Sequence, residues 1–207
     1  TAVGSGALGA NTTGSFNVGI GKEALRANTT ASSNTALGYN TMASTITGSG
    51  NVGVGTLALG ANTTASNNTA VGNEALRVNT TGANNVAVGA LALDANTTAS
   101  NNTAVGYNSL GANTTGDRNV ALGFEAMFTN SVGDRSVAVG FQALYSQNPA
   151  SKEDLNNVAI GYSAGFAMTT GSGNVAIGEA ALDANTTADN NTAVGARSLT
   201  ANTTGAN

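Results

Sequence analysis

A five-residue phrase, Asn-Thr/Val-Ala/Gly-Val/Ile/Leu-Gly, returns along the whole chain at an almost constant interval of seventeen positions. The glycines that close the phrase are Gly4, Gly21, Gly38, Gly55, Gly72, Gly89, Gly106, Gly123, Gly140, Gly161, Gly178 and Gly195. Only the interval from Gly140 to Gly161 differs, because it is four positions longer. Such a period is the signature of a repeat architecture, in which each unit packs on its neighbours. The sequence therefore predicts a single array of 12 coils over residues 1–207.

The length and pattern of the unit indicate the shape of one coil. Helical repeats need about 33 residues or more, so two packed helices do not fit in this unit. Within the phrase, aliphatic residues or Thr alternate with Ala, as in a short strand. The closing Gly and the following Asn-Thr-Thr-Gly provide turn residues. We therefore predict an all-β fold, a parallel β-solenoid (β-roll) with one coil per repeat, which makes a rod about 55 Å long at about 4.8 Å per coil.

Equivalent positions in successive coils form columns, and two of these columns are predicted to form the interior. The residue before each closing Gly is aliphatic in every coil, as at Val71 and Val88. Four residues after the Gly, Leu or Met recurs, as at Leu76 and Leu93, with Gly165 as the exception. The Asn that opens the phrase is predicted to form a ladder of stacked amides.

The prediction about oligomeric assembly rests on the Ala or Gly in the middle of the phrase. If the aliphatic residue before the Gly points inward, strand alternation turns this small residue outward. A second small column, including Ala24 and Ala58, lies three residues after the Gly. Small residues on the outside of a coil favour close packing against another chain, which suggests a homotrimer of narrow coils. The alternative is a self-contained single-chain solenoid with crowded corners.

The phrase at Asn157–Gly161 and Asn174–Gly178 resembles the head repeats of YadA-type trimeric autotransporter adhesins. The longer unit, with Ala-Leu and Asn-Thr-Thr-Gly, is similar to repeats of bacteriophage tail-fibre-like and bacterial surface proteins. The resemblance covers the whole chain. It implies a left-handed β-roll in a trimer. It also implies an extracellular rod, on a virion tail fibre or a bacterial cell surface, that displays or forms a receptor-binding surface. It carries over no catalytic residue.

The repeat departs from its own pattern in one region, which is where we place the candidate receptor site. Four extra residues fall within 146–156 and predict an exposed insertion loop with Lys152, Glu153 and Asp154. Most aromatic residues gather nearby, in two columns that stand one and five residues after the Gly. Flat apolar rings beside a loop favour a glycan- or protein-binding patch, and the alternative is that they pack beneath the loop or against another chain. The candidate patch comprises Tyr107, Phe124, Phe128, Phe141, Tyr145, Tyr162, Phe166, Lys152, Glu153 and Asp154.

Composition excludes several other classes of function. The chain has no Cys and no His, so it has no thiol nucleophile, imidazole base or zinc finger. A net charge of −4 with seven scattered basic residues argues against a nucleic-acid partner. No apolar run is long enough for membrane insertion. We predict no catalytic residue, no cofactor and no metal, and we interpret Asp117–Arg118 and Asp134–Arg135 as surface pairs between adjacent coils.

A structural and adhesive fibre segment is therefore the predicted function. Both termini are in phase with the repeat, so we expect the array to be part of a longer fibre or to assemble end to end. One alternative is a polysaccharide-degrading enzyme of the tailspike type, which needs two carboxylates about 5–10 Å apart in a cleft. Another is an ice-binding solenoid, since Asn-Thr-Thr occurs eight times. Adjacent threonines point to opposite faces of a strand, however, whereas a flat array requires alternate ones.

Overall fold

The computed structural model describes residues 1–205, and they form a parallel β-solenoid of short strands joined by turns. In chain order the strands are β1 (Ala2–Val3), β2 (Val18–Ile20), β3 (Thr35–Leu37), β4 (Val52–Val54), β5 (Thr69–Val71), β6 (Val86–Val88), β7 (Thr103–Val105), β8 (Val120–Leu122), β9 (Val137–Val139), β10 (Val158–Ile160), β11 (Val175–Ile177) and β12 (Thr192–Val194). They lie in one sheet in sequence order, each parallel to the next. Among the described residues, no helix has the length and apolar character needed to cross a bilayer.

The register of the sheet follows the repeat. Ala87 of β6 lies opposite Ala104 of β7, its equivalent in the next repeat. Ala138 of β9 lies opposite Ala159 of β10, although the repeat between them is the longer one, so the four extra residues leave the sheet undisturbed. The predicted all-β solenoid with one coil per repeat is confirmed.

The interior of the coil is lined by alanine and leucine. The middle residue of each strand from β2 to β12 is buried, with Ala36, Ala87 and Ala121 fully covered. The Leu or Met four residues after the Gly is fully buried from Leu25 to Leu144 and again at Leu182, as predicted. These residues and the second small column, from Ala24 to Ala181, make one continuous core cluster.

The prediction of which strand face points inward is wrong. The alanines in mid-strand face the interior of their own coil, and the aliphatic residue before each Gly faces outward, with Leu37 45% and Val105 38% exposed. The second small column is also internal, since Ala24 and Ala58 are fully buried. The coil is too narrow for branched side chains on the strand, because the leucine column already fills it. A Cβ added at Gly53 in mid-strand would lie 3.3 Å from the Met42 Cε.

Because the alanines face inward, both end positions of every strand face outward, and we call these two columns the aliphatic stripe. The first column is Val18, Thr35, Val52, Thr69, Val86, Thr103, Val120, Val137, Val158, Val175 and Thr192. The second is Val3, Ile20, Leu37, Val54, Val71, Val88, Val105, Leu122, Val139, Ile160, Ile177 and Val194. All of these side chains are half-buried or exposed. The surface for a sister chain that was predicted on alanine is thus replaced by one of larger aliphatic residues.

The predicted amide ladder is present and turns the corner before each strand. The Asn85 Oδ1 accepts a hydrogen bond from the Asn102 backbone N–H at 2.9 Å, and the Asn85 Nδ2 donates to the Ala99 carbonyl at 2.8 Å. Ser136 takes the same place in its coil, and its backbone N–H donates to the Asn119 Oδ1. Each amide therefore satisfies buried backbone groups of the next coil as well as joining two coils.

A second buried amide ladder, which was not predicted, runs through the Asn of Asn-Thr-Thr. The Asn96 Nδ2 donates to the Asn79 Oδ1 at 2.8 Å and to the Ala99 carbonyl at 3.1 Å. Residues of other types continue this column where the repeat is irregular. Gln147 is fully buried and accepts from the Asn157 Nδ2 at 3.0 Å. Met168 is also fully buried and fills space beside Gly165, the position that interrupts the leucine column.

The closing glycine permits the sharp bend after each strand. Its φ lies between +124° and +142°, a region that side chains rarely adopt. At Gly38 an added Cβ would also lie 2.6 Å from the carbonyl oxygen of Gly55 in the next coil. The turn then passes through two further residues of positive φ, such as Glu74 at +58° and Leu76 at +51°. This tight path directs the leucine of each turn toward the interior.

Candidate functional site

The first aromatic column forms a stacked ladder on the turn after the strands. Tyr107, Phe124, Phe141 and Tyr162 occupy the same position in four consecutive coils, so their rings lie one above another. Adjacent ring centroids are 5.1–5.3 Å apart and the ring planes differ by 5–18°. All four side chains are exposed, which agrees with the solvent-facing position predicted for this column.

The second aromatic column runs beside the first, five residues after the closing Gly. The Phe128 and Tyr145 ring centroids are 5.5 Å apart with tilted planes, and Tyr145 and Phe166 stack at 5.2 Å. These three side chains are half-buried. The structure therefore brings all seven predicted aromatic residues together as two parallel ladders.

Stacking changes what the ladders offer to a ligand. Within each ladder an inner ring has neighbours on both faces, so it presents mainly its edge outward. The last rings, Tyr162 and Phe166, are followed in their columns by Glu179 and Asp183 instead of another aromatic residue. The flat apolar surface expected from the sequence is thus reduced to the rings at the ends of the two ladders, and Tyr162 and Phe166 lie at one of these ends.

A slot of about 560 Å³ opens at this end. Tyr162, Phe166, Glu179 and Asp183 line its two sides, and Ser163 and Ala180 lie between them. Gln142 and Arg197 also line it. The Arg197 Nη2 lies 3.3 Å from the Glu179 Oε1, so one of the two carboxylates is paired. The Asp183 Oδ1 is covered by protein and has no hydrogen-bond partner.

The insertion loop lies against the rod through ion pairs and buried side chains. The Lys152 Nζ is 2.6 Å from the Asp117 Oδ2 and 2.8 Å from the Thr115 carbonyl, and the Arg135 Nη1 is 2.6 Å from the Asp154 Oδ2. Leu155 is buried, whereas residues 150–154 are exposed. The surface pairs predicted between Asp117–Arg118 and Asp134–Arg135 are therefore wrong, because the loop supplies the partners of Asp117 and Arg135.

The loop charges and the aromatic rings occupy different turns. Within the described residues, the side-chain ion pairs of Lys152 and Asp154 go to the turns that precede the strands. The rings lie on the turns that follow the strands. The backbone N–H of Asp134 donates to the Glu153 carbonyl at 2.8 Å, which holds the loop in this position. Lys152, Glu153 and Asp154 thus form a patch separate from the slot.

Among residues 1–205, burial raises the pKa of two carboxyl groups, and neither of them borders the slot. Burial raises the pKa of Asp134, although the backbone N–H of Asp117 and the nearby Lys152 oppose this. Burial also raises the pKa of Asp94, against the attraction of Arg77. The Asp134 Oδ1 accepts a hydrogen bond from the Asp117 backbone N–H at 2.6 Å, so this carboxyl group links two consecutive coils.

The threonines of Asn-Thr-Thr divide into two columns. The first is tied to the backbone of the next coil, as where the Thr80 Oγ1 donates to the Thr97 carbonyl at 3.0 Å. The second, which includes Thr30, Thr81 and Thr98, is exposed. An ordered array of hydroxyls facing solvent is therefore confined to a single column of threonine on this face.

Sequence reasoning missed two features that matter here. The second amide ladder was hidden because Asn-Thr-Thr has the composition of a turn, although the Asn recurs with the period of the core. The slot was hidden because its opening depends on Ala180, which replaces a longer residue at that position of the turn.

Comparison with family models, curated proteins and solved structures finds no match for the chain.

Proposed function

We propose that this chain is a segment of a structural and adhesive fibre, on a phage tail or a bacterial surface, in which three identical rods associate along their aliphatic stripes. The observation that carries the proposal is the stripe itself, an outward apolar face that extends from β1 to β12. The resemblance of the repeat to trimeric adhesin heads and tail-fibre repeats supports three copies and an extracellular location.

The stripe has the properties of an unpartnered interface. Soluble monomers rarely expose continuous apolar patches larger than a few hundred Å², and larger patches mark association sites. Here valine, isoleucine, leucine and threonine fill both outward columns in every coil, and no charged residue occurs in either column. A rod that stayed alone in water would leave this whole face hydrated.

A second copy of the same chain fits this face better than an unrelated partner does. The stripe repeats with the same period on every copy, so identical rods aligned side by side match coil for coil. Association around one axis covers each stripe with the stripes of the neighbours. The ion pairs of Lys152 and Arg135 lie on turns outside the stripe and do not have to be broken.

Introducing lysine into the stripe should convert the assembly into folded monomers. We expect sedimentation equilibrium to give the wild type three times the 20.1 kDa of one chain. The double variant Leu37→Lys/Val105→Lys should sediment as one chain, because an interface would have to bury two unpaired charges per subunit. Its far-UV circular dichroism should remain that of the wild type, since both side chains point out of the coil.

The matched control is Thr30→Lys/Thr98→Lys, which adds the same charges on an exposed column away from the stripe. This variant should retain the mass of the wild type. A wild-type protein that sediments as a single chain at micromolar concentration contradicts the proposal. So does a stripe variant that keeps the wild-type mass.

The adhesive part of the proposal rests on the aromatic ladders. A rod that only bridged two ends of a fibre would have no need of exposed rings gathered within four consecutive coils. Aromatic side chains provide contact area at low conformational-entropy cost, which suits a surface that binds a receptor. The end of the ladders is the part of this surface that has the concave shape of a ligand site.

A further inference from the structure

We propose that the slot at the end of the two aromatic ladders binds one pyranose ring of an uncharged glycan. This inference rests on the adhesive function proposed above and names its ligand class. The slot is lined by Tyr162 and Phe166 from one coil and by Glu179, Ala180 and Asp183 from the next. Its volume of about 560 Å³ lies within the range of small-molecule sites.

The slot exists because the repeat is altered at one position. Two residues after the closing Gly, most coils carry a long side chain, such as Glu74, Leu91, Glu125 or Gln142. Ser163 and Ala180 occupy this position in two consecutive coils. The missing side chains leave a depression beside Tyr162 and Phe166, the two rings that end their ladders.

The sides of the slot combine an apolar half with a hydrogen-bonding half. Tyr162 and Phe166 are the apolar half, and each has a carboxylate at the same position of the next coil. A pyranose has a face of C–H groups, which packs on an aromatic ring, and equatorial hydroxyls, which donate to carboxylates. Hydrogen bonds to a charged acceptor are stronger than those between neutral groups. Ser163 and Gln142 also line this opening.

The charges of the slot favour a neutral ligand. Glu179 and Asp183 both line the slot, and their negative charges disfavour an anionic sugar. Arg197 pairs with Glu179 at 3.3 Å and disfavours a cationic ligand at the same carboxylate. An uncharged polyhydroxylated ring complements this arrangement.

Filling the slot with a residue that the repeat already tolerates should abolish binding. In Ala180→Gln the new side chain is the one that Gln142 places at the equivalent position, where φ is +51°, close to the +52° of Ala180. The probe is an array of neutral and acidic oligosaccharides, followed by titration of the neutral oligosaccharide that the wild type retains best. We expect at least a tenfold loss of affinity for Ala180→Gln, and a similar loss for Ser163→Gln, which fills the adjacent position.

The control is Leu91→Gln, which places a glutamine at the equivalent turn position in a coil away from the slot and should bind as the wild type does. Retention of acidic oligosaccharides alone, retention of none, or unchanged affinity in both filled variants overturns the inference. Sedimentation equilibrium of the same proteins distinguishes failure of the glycan-binding proposal from failure of the proposed trimeric fibre. If Ala180→Gln retains the trimeric mass, loss or persistence of binding concerns the slot alone.

Discussion

Replacing Asn85 with alanine should lower the free energy of unfolding by about 3 kcal/mol, because it leaves one buried polar group unsatisfied, at a cost of about 1–3 kcal/mol, and removes a second buried hydrogen bond. The unsatisfied group is the Asn102 backbone N–H, which now donates to the Asn85 Oδ1. The second lost bond runs from the Asn85 Nδ2 to the Ala99 carbonyl, which keeps its hydrogen bond from the Asn96 Nδ2. Asn85 is fully buried, so water does not take its place without opening the coil. Urea unfolding followed by circular dichroism measures the loss.

Two further variants make this prediction specific to the ladder. Asn85→Ser should cost less than Asn85→Ala, because Ser136 fills the same position naturally and its Oγ accepts the Asn157 N–H at 3.3 Å. Asn84→Ser should cost little, since Asn84 is exposed and Ser33 adopts the same backbone conformation in another coil. Equal losses for Asn84→Ser and Asn85→Ala would show that the amide ladder contributes nothing particular to stability.

Enlarging Ala87 should be as damaging as removing the amide, whereas enlarging its neighbour Val88 should not. Ala87→Leu adds three carbons to a fully buried position, and overpacking a filled core costs about 1–3 kcal/mol, sometimes more. At the equivalent position Gly19, even a single added Cβ would lie 3.3 Å from the Leu8 Cγ. We expect Ala87→Leu to lose about 3 kcal/mol of unfolding free energy, at the upper end of that range.

Val88→Leu is the matched control because Leu37 and Leu122 already occupy its column in other coils. Its side chain points outward, so its unfolding free energy should stay within about 0.5 kcal/mol of the wild type, as for most surface changes. Thermal and urea unfolding of both variants gives the comparison. The opposite ranking, with Val88→Leu the more damaging, would mean that alanine faces outward.

Much of the fold was predictable because the same pattern is present in every coil. The sequence of a single coil predicts its structure only weakly. The closing glycine recurs often enough, however, to indicate how many residues make one turn of the rod. The leucine column and the first amide ladder were predicted for the same reason. A buried column of one residue type, such as the one from Leu59 to Leu110, is already evident when successive repeats are aligned.

The orientation of the strand was not predictable from its alternation. Alternation states that Val86 and Val88 share a face and that Ala87 takes the other, but it does not say which face lies inside. Choosing the larger residues for the interior is a sound rule for wide cores. It fails here because Leu76, held at a φ of +51°, enters the interior from the turn and leaves room for only a methyl group on the strand.

The residues of the candidate site were predictable from the sequence, but their arrangement in space was not. The periodic spacing of Tyr107, Phe124, Phe141 and Tyr162 identified one ladder, and a second was equally clear. The rings cover one another because of their orientation, which the sequence does not give. The last pair borders a slot because Ala180 is small. The charged loop was also close in sequence to the rings, yet its ion pairs bind it to other turns.

Pyrene excimer fluorescence tests the central claim, that each repeat winds once around the rod and places every residue beside its equivalent. The chain has no cysteine, so Thr81→Cys/Thr98→Cys, both exposed and one coil apart, accepts two pyrene maleimides without interference. Dilution with unlabelled chains removes contacts between copies. The account predicts strong excimer emission from this pair, because stacked coils lie about 4.8 Å apart. It predicts little from Thr81→Cys/Ala90→Cys, which are half a coil apart, and equal emission from the two pairs would contradict it.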